Sequence, residues 1–246
     1  SGASHPTLEL LFTTGEEHFC VGAKAFDAQR LQSKTAYVMD LSGPVGDCAV
    51  AAPTLITFSA EVVGKAAHAG FAPEDGVHAI QVAAAAVANL PSGRWGDVTV
   101  NVGTISGGRA TNIVPDSCTV TGEIRALCHQ DALDRLNEIH SEFVEQAQAV
   151  DAKLNFNHTI HITGYRVDMD APVAQRFRRA CEAVGVAPRF TDTYGGSDCN
   201  ILSAHGIQGL VVATAMNNCH AVSEYTSVEE LCKAARLAQA LMEKQD

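Results

Sequence analysis

Two adjacent carboxylates in Thr14-Gly15-Glu16-Glu17, an aspartate at Asp40 and a late histidine at His220 are the side chains best suited to acid–base or metal chemistry. Neighbouring Glu residues on a loop can point opposite ways, so that one ligates a cation while the other stays free to take a proton from water. They serve equally well in the first turn of a helix, where the dipole favours negative charge. Asp40 opens the turn Asp40-Leu41-Ser42-Gly43-Pro44, where a carboxylate is either a hard ligand or a backbone cap. His220 lies in Asn217-Asn218-Cys219-His220, a loop position open to a zinc-binding imidazole and to a structural histidine alike.

Three further segments are rich in donors and glycine. Gly64-Lys65-Ala66-Ala67-His68-Ala69-Gly70 leads from a strand through small residues that let a ligand or backbone come close, with His68 projecting. Gly107-Gly108-Arg109-Ala110-Thr111-Asn112-Ile113-Val114-Pro115 offers Asn and Arg donors for a carbonyl or carboxylate, and Tyr194-Gly195-Gly196-Ser197-Asp198 is a similar loop. Each also reads as a plain turn.

The elements that must position these groups follow from periodicity. Leu8 to Thr14 and Thr35 to Met39 are short apolar runs that predict buried strands, each followed by acidic residues. Ligands in open α/β sheets gather at that carboxyl edge. From Thr54 the pattern becomes strand Leu55 to Val63, helix from about Pro73 to Leu90, strands Val98 to Ile105 and Cys118 to Leu127, helix from about Gln130 to Val150, and strand Leu154 to Thr163. That β-α-β-β-α-β order is the ferredoxin-like plait. The expected organisation is therefore α/β, with a plait at 54–164 inserted into a domain formed by 1–53 and 165–246. The last segment should hold a helix near Pro172 to Val184, a strand near Leu210 to Ala213 and a helix from Val228 to Glu243.

A net charge of −11 without a Lys/Arg cluster argues against a nucleic-acid partner and suits cations. Hydrophobic residues at 46% and charged residues at 18% describe a globular chain. Ala79 to Leu90, interrupted by Gln81 and Asn89, is too short to cross a bilayer, so no membrane partner is expected. Ser1 to Pro6 has neither the basic nor the apolar region of a signal peptide, and eight singly scattered cysteines are expected to be reduced, in a cytoplasm.

Taken together, Glu16-Glu17, Asp40, Gly64-x-x-x-His68-x-Gly70, Gly107-x-x-x-Thr111-Asn112-x-x-Pro115, Gly122-Glu123-Ile124-Arg125, Gly195-Gly196-Ser197-Asp198 and His220 follow an order that resembles peptidase T and its relatives in the aminoacylase/carboxypeptidase G superfamily. The resemblance runs from Leu8 to the last helix. It implies metal-dependent hydrolysis of peptide bonds in short peptides, of the aminopeptidase or dipeptidase type, with Glu16 activating a metal-bound water. Glu17, Asp40 and His220 would be zinc ligands. His68, Asn112, Arg125, Gly196 and Ser197 would contact substrate, with His68 polarising its carbonyl; Arg125 on a strand has a structural ion pair as its other reading. The plait would be a lid and dimerisation domain, giving a homodimer.

The resemblance also implies what is expected to be lacking. Family members carry an earlier His-x-Asp motif and a bridging aspartate, so this chain reads as an incomplete catalytic domain. A complete enzyme would hold two zinc ions, and this chain one or none, since each zinc takes about four ligands. The other function class is a catalytically inactive truncated homologue acting only as a dimerising module.

Overall fold

In the computed structural model, residues 4–243 are described. The chain runs α1 (Val21–Ala25), β1 (Thr35–Ser42), β2 (Asp47–Ala52), β3 (Thr54–Val63), α2 (Ala79–Asn89), β4 (Gly93–Trp95), β5 (Val98–Gly107), β6 (Ser117–Ala126), α3 (His129–Gln148) and β7 (Lys153–Ile162). It continues through β8 (Tyr165–Arg166), α4 (Pro172–Ala183), β9 (Arg189–Asp192), α5 (Asp198–Ala204), β10 (Gln208–Met216) and α6 (Val228–Met242). Two compact units result: Thr54–His161, and the segments that precede and follow it.

The Thr54–His161 unit is built on a five-stranded sheet ordered β4-β5-β6-β3-β7. Without the short β4, this is the strand order of the ferredoxin-like plait. β3 and β6 pair antiparallel from Thr54↔Ala126 to Val63↔Ser117. Period-2 alternation buries Ile56, Phe58, Ala60 and Val62 on one face, where α2 and α3 contribute Ala83, Ala86, Ile139 and Phe143. Phe143 is fully buried, so its truncation to Ala would cost about 3–5 kcal/mol.

The other unit has its own five-stranded sheet and core. β1 runs parallel to β10, β10 antiparallel to β2, and the far edge of β2 is shared by β9 and β8. Phe177 of α4 and Leu237 of α6 pack without exposure against Cys48, Leu210 and Val212 of the sheet. Buried Asn200 joins three backbone segments here: its amide nitrogen donates to Pro53 O at 3.1 Å and Thr163 O at 2.9 Å, while its carbonyl oxygen accepts from Ser197 N at 3.1 Å.

Three expectations need correction. Thr35 to Met39 does form a strand, but none of its residues is fully buried. Leu8 to Thr14 is not a buried strand: Leu10 is 74% and Phe12 90% exposed, and no strand among the described residues pairs with the run. An apolar run becomes a strand only where a neighbouring ladder takes up its N–H and C=O groups. The first helix of the plait does not begin at Pro73, which opens only a 3-10 turn ending at Asp75. Val77 instead exchanges two hydrogen bonds with Lys65, at 2.9 and 3.0 Å, and this extended pairing delays the helix until His78 caps it.

Candidate active site

Glu16 and Glu17 lie in a single 3-10 turn, Glu16–His18, set in unusual backbone. Gly15 precedes it at φ 67, and Phe19 and Cys20 follow at φ 58 and 57. Left-handed conformations at non-glycine residues cost of order 1–3 kcal/mol each and gather where function over-determines the backbone. The turn is cinched at its base, where Gly22 N donates to Thr14 O at 2.9 Å. A Cβ at Gly22 would stand 2.3 Å from that oxygen, so no side chain fits.

Asp40 belongs to β1, at an irregularity in its pairing with β10. Val38 opposes Val211 but Leu41 opposes Ala213, so β1 carries an extra residue there. Such a bulge re-aims side chains out of the ladder. His220 lies beyond the end of β10 in a loop closed by paired Asn217 and Tyr225, each donating to the other at 3.1 Å. His220 at φ 65 and Asn218 at φ 55 repeat the left-handed strain of the Glu16 turn. Because β1 and β10 are parallel neighbours, Asp40 and the His220 loop both fall at carboxyl ends.

The structure brings these side chains together. His220 Nδ1 stands 3.4 Å from Glu17 Oε1. The pair is open to solvent, so its own stabilisation is small and its interest is positional. Glu16 is pushed up to about 7, first by burial and then by the charges of Asp40, Glu17 and Asp198. Asp40, although exposed as a residue, is raised by the protein around its carboxyl and by Asp198 and Glu17, with His220 opposing. The buried Cys20 thiol points at Glu16 Oε1 from 3.9 Å and is itself raised to about 12 by burial, Asp198 and Glu16.

Asp198 is the group that sequence reasoning missed as a member of this cluster. One of its carboxylate oxygens accepts from the Thr13 hydroxyl; the other, Oδ1, is buried without a hydrogen-bond partner. Its signal was its place after Gly195-Gly196-Ser197, read only as a donor loop. Ser197 is buried, and its hydroxyl caps α5 by accepting from Cys199 N at 3.2 Å. Gly196 packs so closely that a Cβ would meet Ile162 Cδ1 at 2.2 Å.

The remaining candidates belong to the Thr54–His161 unit. His68 and Asn112 are exposed on loops joined by backbone bonds, Ala69 N to Asn112 O at 3.0 Å and Val114 N to Ala67 O at 2.9 Å. Arg125 forms a two-pronged pair with Glu123, its Nε 2.9 Å from Oε1. A groove of 420 Å3 on this sheet is lined by Thr57, Ser59, Asn101, Thr121, Glu123 and His158.

Among the described residues, no three His, Cys, Asp or Glu side chains are close enough to form a ready ligand shell. The donor chemistry nonetheless fits a cation. Carboxylates that repel one another, one with an unpartnered buried oxygen, sit beside an imidazole, and a positive ion would relieve that repulsion. No helix among the described residues is long and apolar enough to cross a membrane.

Comparison with known proteins agrees with this architecture. Residues 50–151 match the M20 peptidase dimerisation domain. The uncharacterized protein YqjE of Bacillus subtilis is 32% identical over 98% of this chain and 65% of its own length. Peptidase T of Alkaliphilus oremlandii is 25% identical over 97% of this chain and 59% of its length. Among solved structures, aminopeptidase PepT of Bacillus cereus superposes with a TM-score of 0.89 at 36% identity, over 94% of this chain and 62% of that one. A tripeptidase of Staphylococcus aureus gives 0.90 at 27% identity over the same shares. The chain thus spans a little under two thirds of the length of these relatives. On this joint agreement of sequence and fold, the chain is similar to peptidase T-like members of the M20 peptidases, with the match to their dimerisation domain at residues 50–151.

Proposed function

We propose that this chain carries the general base and part of the metal-binding set of a zinc-dependent exopeptidase acting on short peptides. The observation that carries the reading is Glu16, raised to about 7 among Asp40, Glu17 and Asp198, with His220 against Glu17. A general base works best with a pKa near the operating pH. Glu16 would take a proton from the attacking water, while Glu17, Asp40 and His220 would hold metal. A bound divalent ion acidifies water and polarises the scissile carbonyl. His68 and Asn112 would donate to that carbonyl, Arg125 would receive a substrate carboxylate, and the Gly196-Ser197 loop would flank the substrate end.

The names of the relatives support this choice of substrate, an aminopeptidase and a tripeptidase among them. A structural neighbour from Bacillus subtilis, 18% identical, is described as a dinuclear metal-binding peptidase of the M20 family. Homodimerisation through the Thr54–His161 unit and residence in a reducing cytoplasm, in keeping with eight free cysteines, complete the reading. The second reading, a dimerising module without catalysis, is favoured by the absence of a ready three-ligand shell among the described residues.

Zinc binding by equilibrium dialysis, followed by tripeptide hydrolysis, separates the two. The hydrolase reading expects Glu16→Gln to retain metal and lose hydrolysis. It is overturned if a variant lacking the side chains of Glu17, Asp40 and His220 binds zinc as well as the parent chain.

A further inference from the structure

We propose that Phe71 is a positioning residue for His68, holding its imidazole in the tautomer that carries the proton on Nε2. The inference deepens the proposed function, in which His68 donates to the substrate carbonyl, and rests on that reading for its catalytic consequence alone.

Backbone bonds fix the chain on both sides of His68: Val114 N donates to Ala67 O and Ala69 N to Asn112 O. After His68 the chain turns tightly, with Phe71 N and Ala72 N both donating to His68 O at 3.2 and 3.1 Å. The turn brings the Phe71 ring over the imidazole, with centroids 4.2 Å apart and planes 28° from parallel. Phe71 is 86% exposed, so core burial does not explain its placement; the partner it covers is His68.

The imidazole edge is set by a second contact. Gly70 N donates to His68 Nδ1 at 3.1 Å. A backbone N–H can only donate, so Nδ1 supplies the lone pair, and in a neutral ring the proton then resides on Nε2. The stacked ring restrains rotation about the Cβ–Cγ bond and keeps Nδ1 facing Gly70. The ring N–H on Nε2 is then a donor suited to an oxygen that gains negative charge. No proton transfer is required of it. Without Phe71 the exposed imidazole would rotate among several orientations, and the Gly70 bond would compete with water.

The test uses the full chain labelled with nitrogen-15. Long-range proton–nitrogen correlation at alkaline pH reads the His68 tautomer, coupling across the hydrogen bond reads Gly70 N to Nδ1, and amide exchange reads Gly70 protection. The parent chain should show Nε2–H, the coupling and a protected amide. Phe71→Ala should abolish the coupling and speed exchange at Gly70 by about tenfold, the scale of one lost hydrogen bond. Phe71→Tyr should restore both. Gly70→Ala keeps the N–H and places its Cβ at an ordinary 3.6 Å from His68 Cε1, so it should behave as the parent.

Unchanged coupling and exchange in Phe71→Ala, or a proton on Nδ1 in the parent, overturns the proposal. Peptide hydrolysis forms a separate arm, in which Phe71→Ala should lower kcat with KM nearly constant. If the spectra behave as expected while His68→Ala leaves hydrolysis intact, the catalytic reading of His68 fails and the positioning relation stands.

Discussion

The imidazole of His220 and the carboxylate of Glu17 meet at 3.4 Å, Nδ1 to Oε1, although one lies near the start of the chain and the other near its end. His220 is itself left-handed, and Glu17 lies in a turn bounded by left-handed Gly15 and Phe19. Single replacement of either by Ala should weaken zinc binding by at least the roughly 10–100-fold that loss of an outer-shell partner produces. Competition with a chromophoric chelator measures it, and equal affinities for parent and variants would remove the pair from the metal site.

Glu16 should separate binding from chemistry. Gln in its place keeps the shape and removes the proton acceptor, so kcat for a tripeptide should fall by about 10²–10⁴ while zinc stoichiometry is retained. A fall confined to KM would assign Glu16 to substrate binding.

The raised Glu16 also makes a stability prediction for the metal-free chain. Its folded value of about 7 lies above the unfolded value of 4.5, so the folded state is penalised for holding Glu16 ionised above pH 7. The penalty is relieved as pH falls from about 7 toward 4.5. Urea midpoints should therefore rise on going from pH 8 to pH 5.5, and the rise should shrink in Glu16→Gln. A midpoint that falls over this window in the parent but not in the variant contradicts the assignment.

Asn200→Ala should be costly without touching any candidate ligand. It leaves the carbonyls of Pro53 and Thr163 without that donor, and an orphaned buried acceptor costs about 1–3 kcal/mol. A lower urea midpoint at unchanged m-value is the expected result.

The proposed dimer has a candidate edge. β4 pairs with β5 only from Val98 to Val100, leaving the outer side of β5 beyond Val100 without a strand partner among the described residues, with Ile105 49% exposed. Unpaired edges invite association. Sedimentation should show a dimer that Ile105→Lys weakens; an unaltered dimer would move the interface elsewhere.

Much of this was legible in residue order. The plait announced itself because β3 alternates from Ile56 onward, β6 alternates except at Gly122, and α3 carries a long amphipathic stripe. Leu8 to Thr14 misled because composition reports apolarity but not whether a partner strand is present. β2 went unread because Asp47–Ala52 is rich in alanine, which has low strand propensity and no alternation when both faces are buried. Asp198 escaped because nothing local marks it. Its place in the cluster comes from Thr13 and Cys20, remote in sequence, and only tertiary folding brings them there.

The contact between Thr14 and Gly22 has a consequence for ion capture. A loop already knotted at its base has little freedom left to surrender when a cation arrives. Selectivity among divalent ions would then be set by the fixed placement of Glu17 rather than by adaptation of the loop, and a looser contact at Gly22 would exchange that discrimination for tolerance.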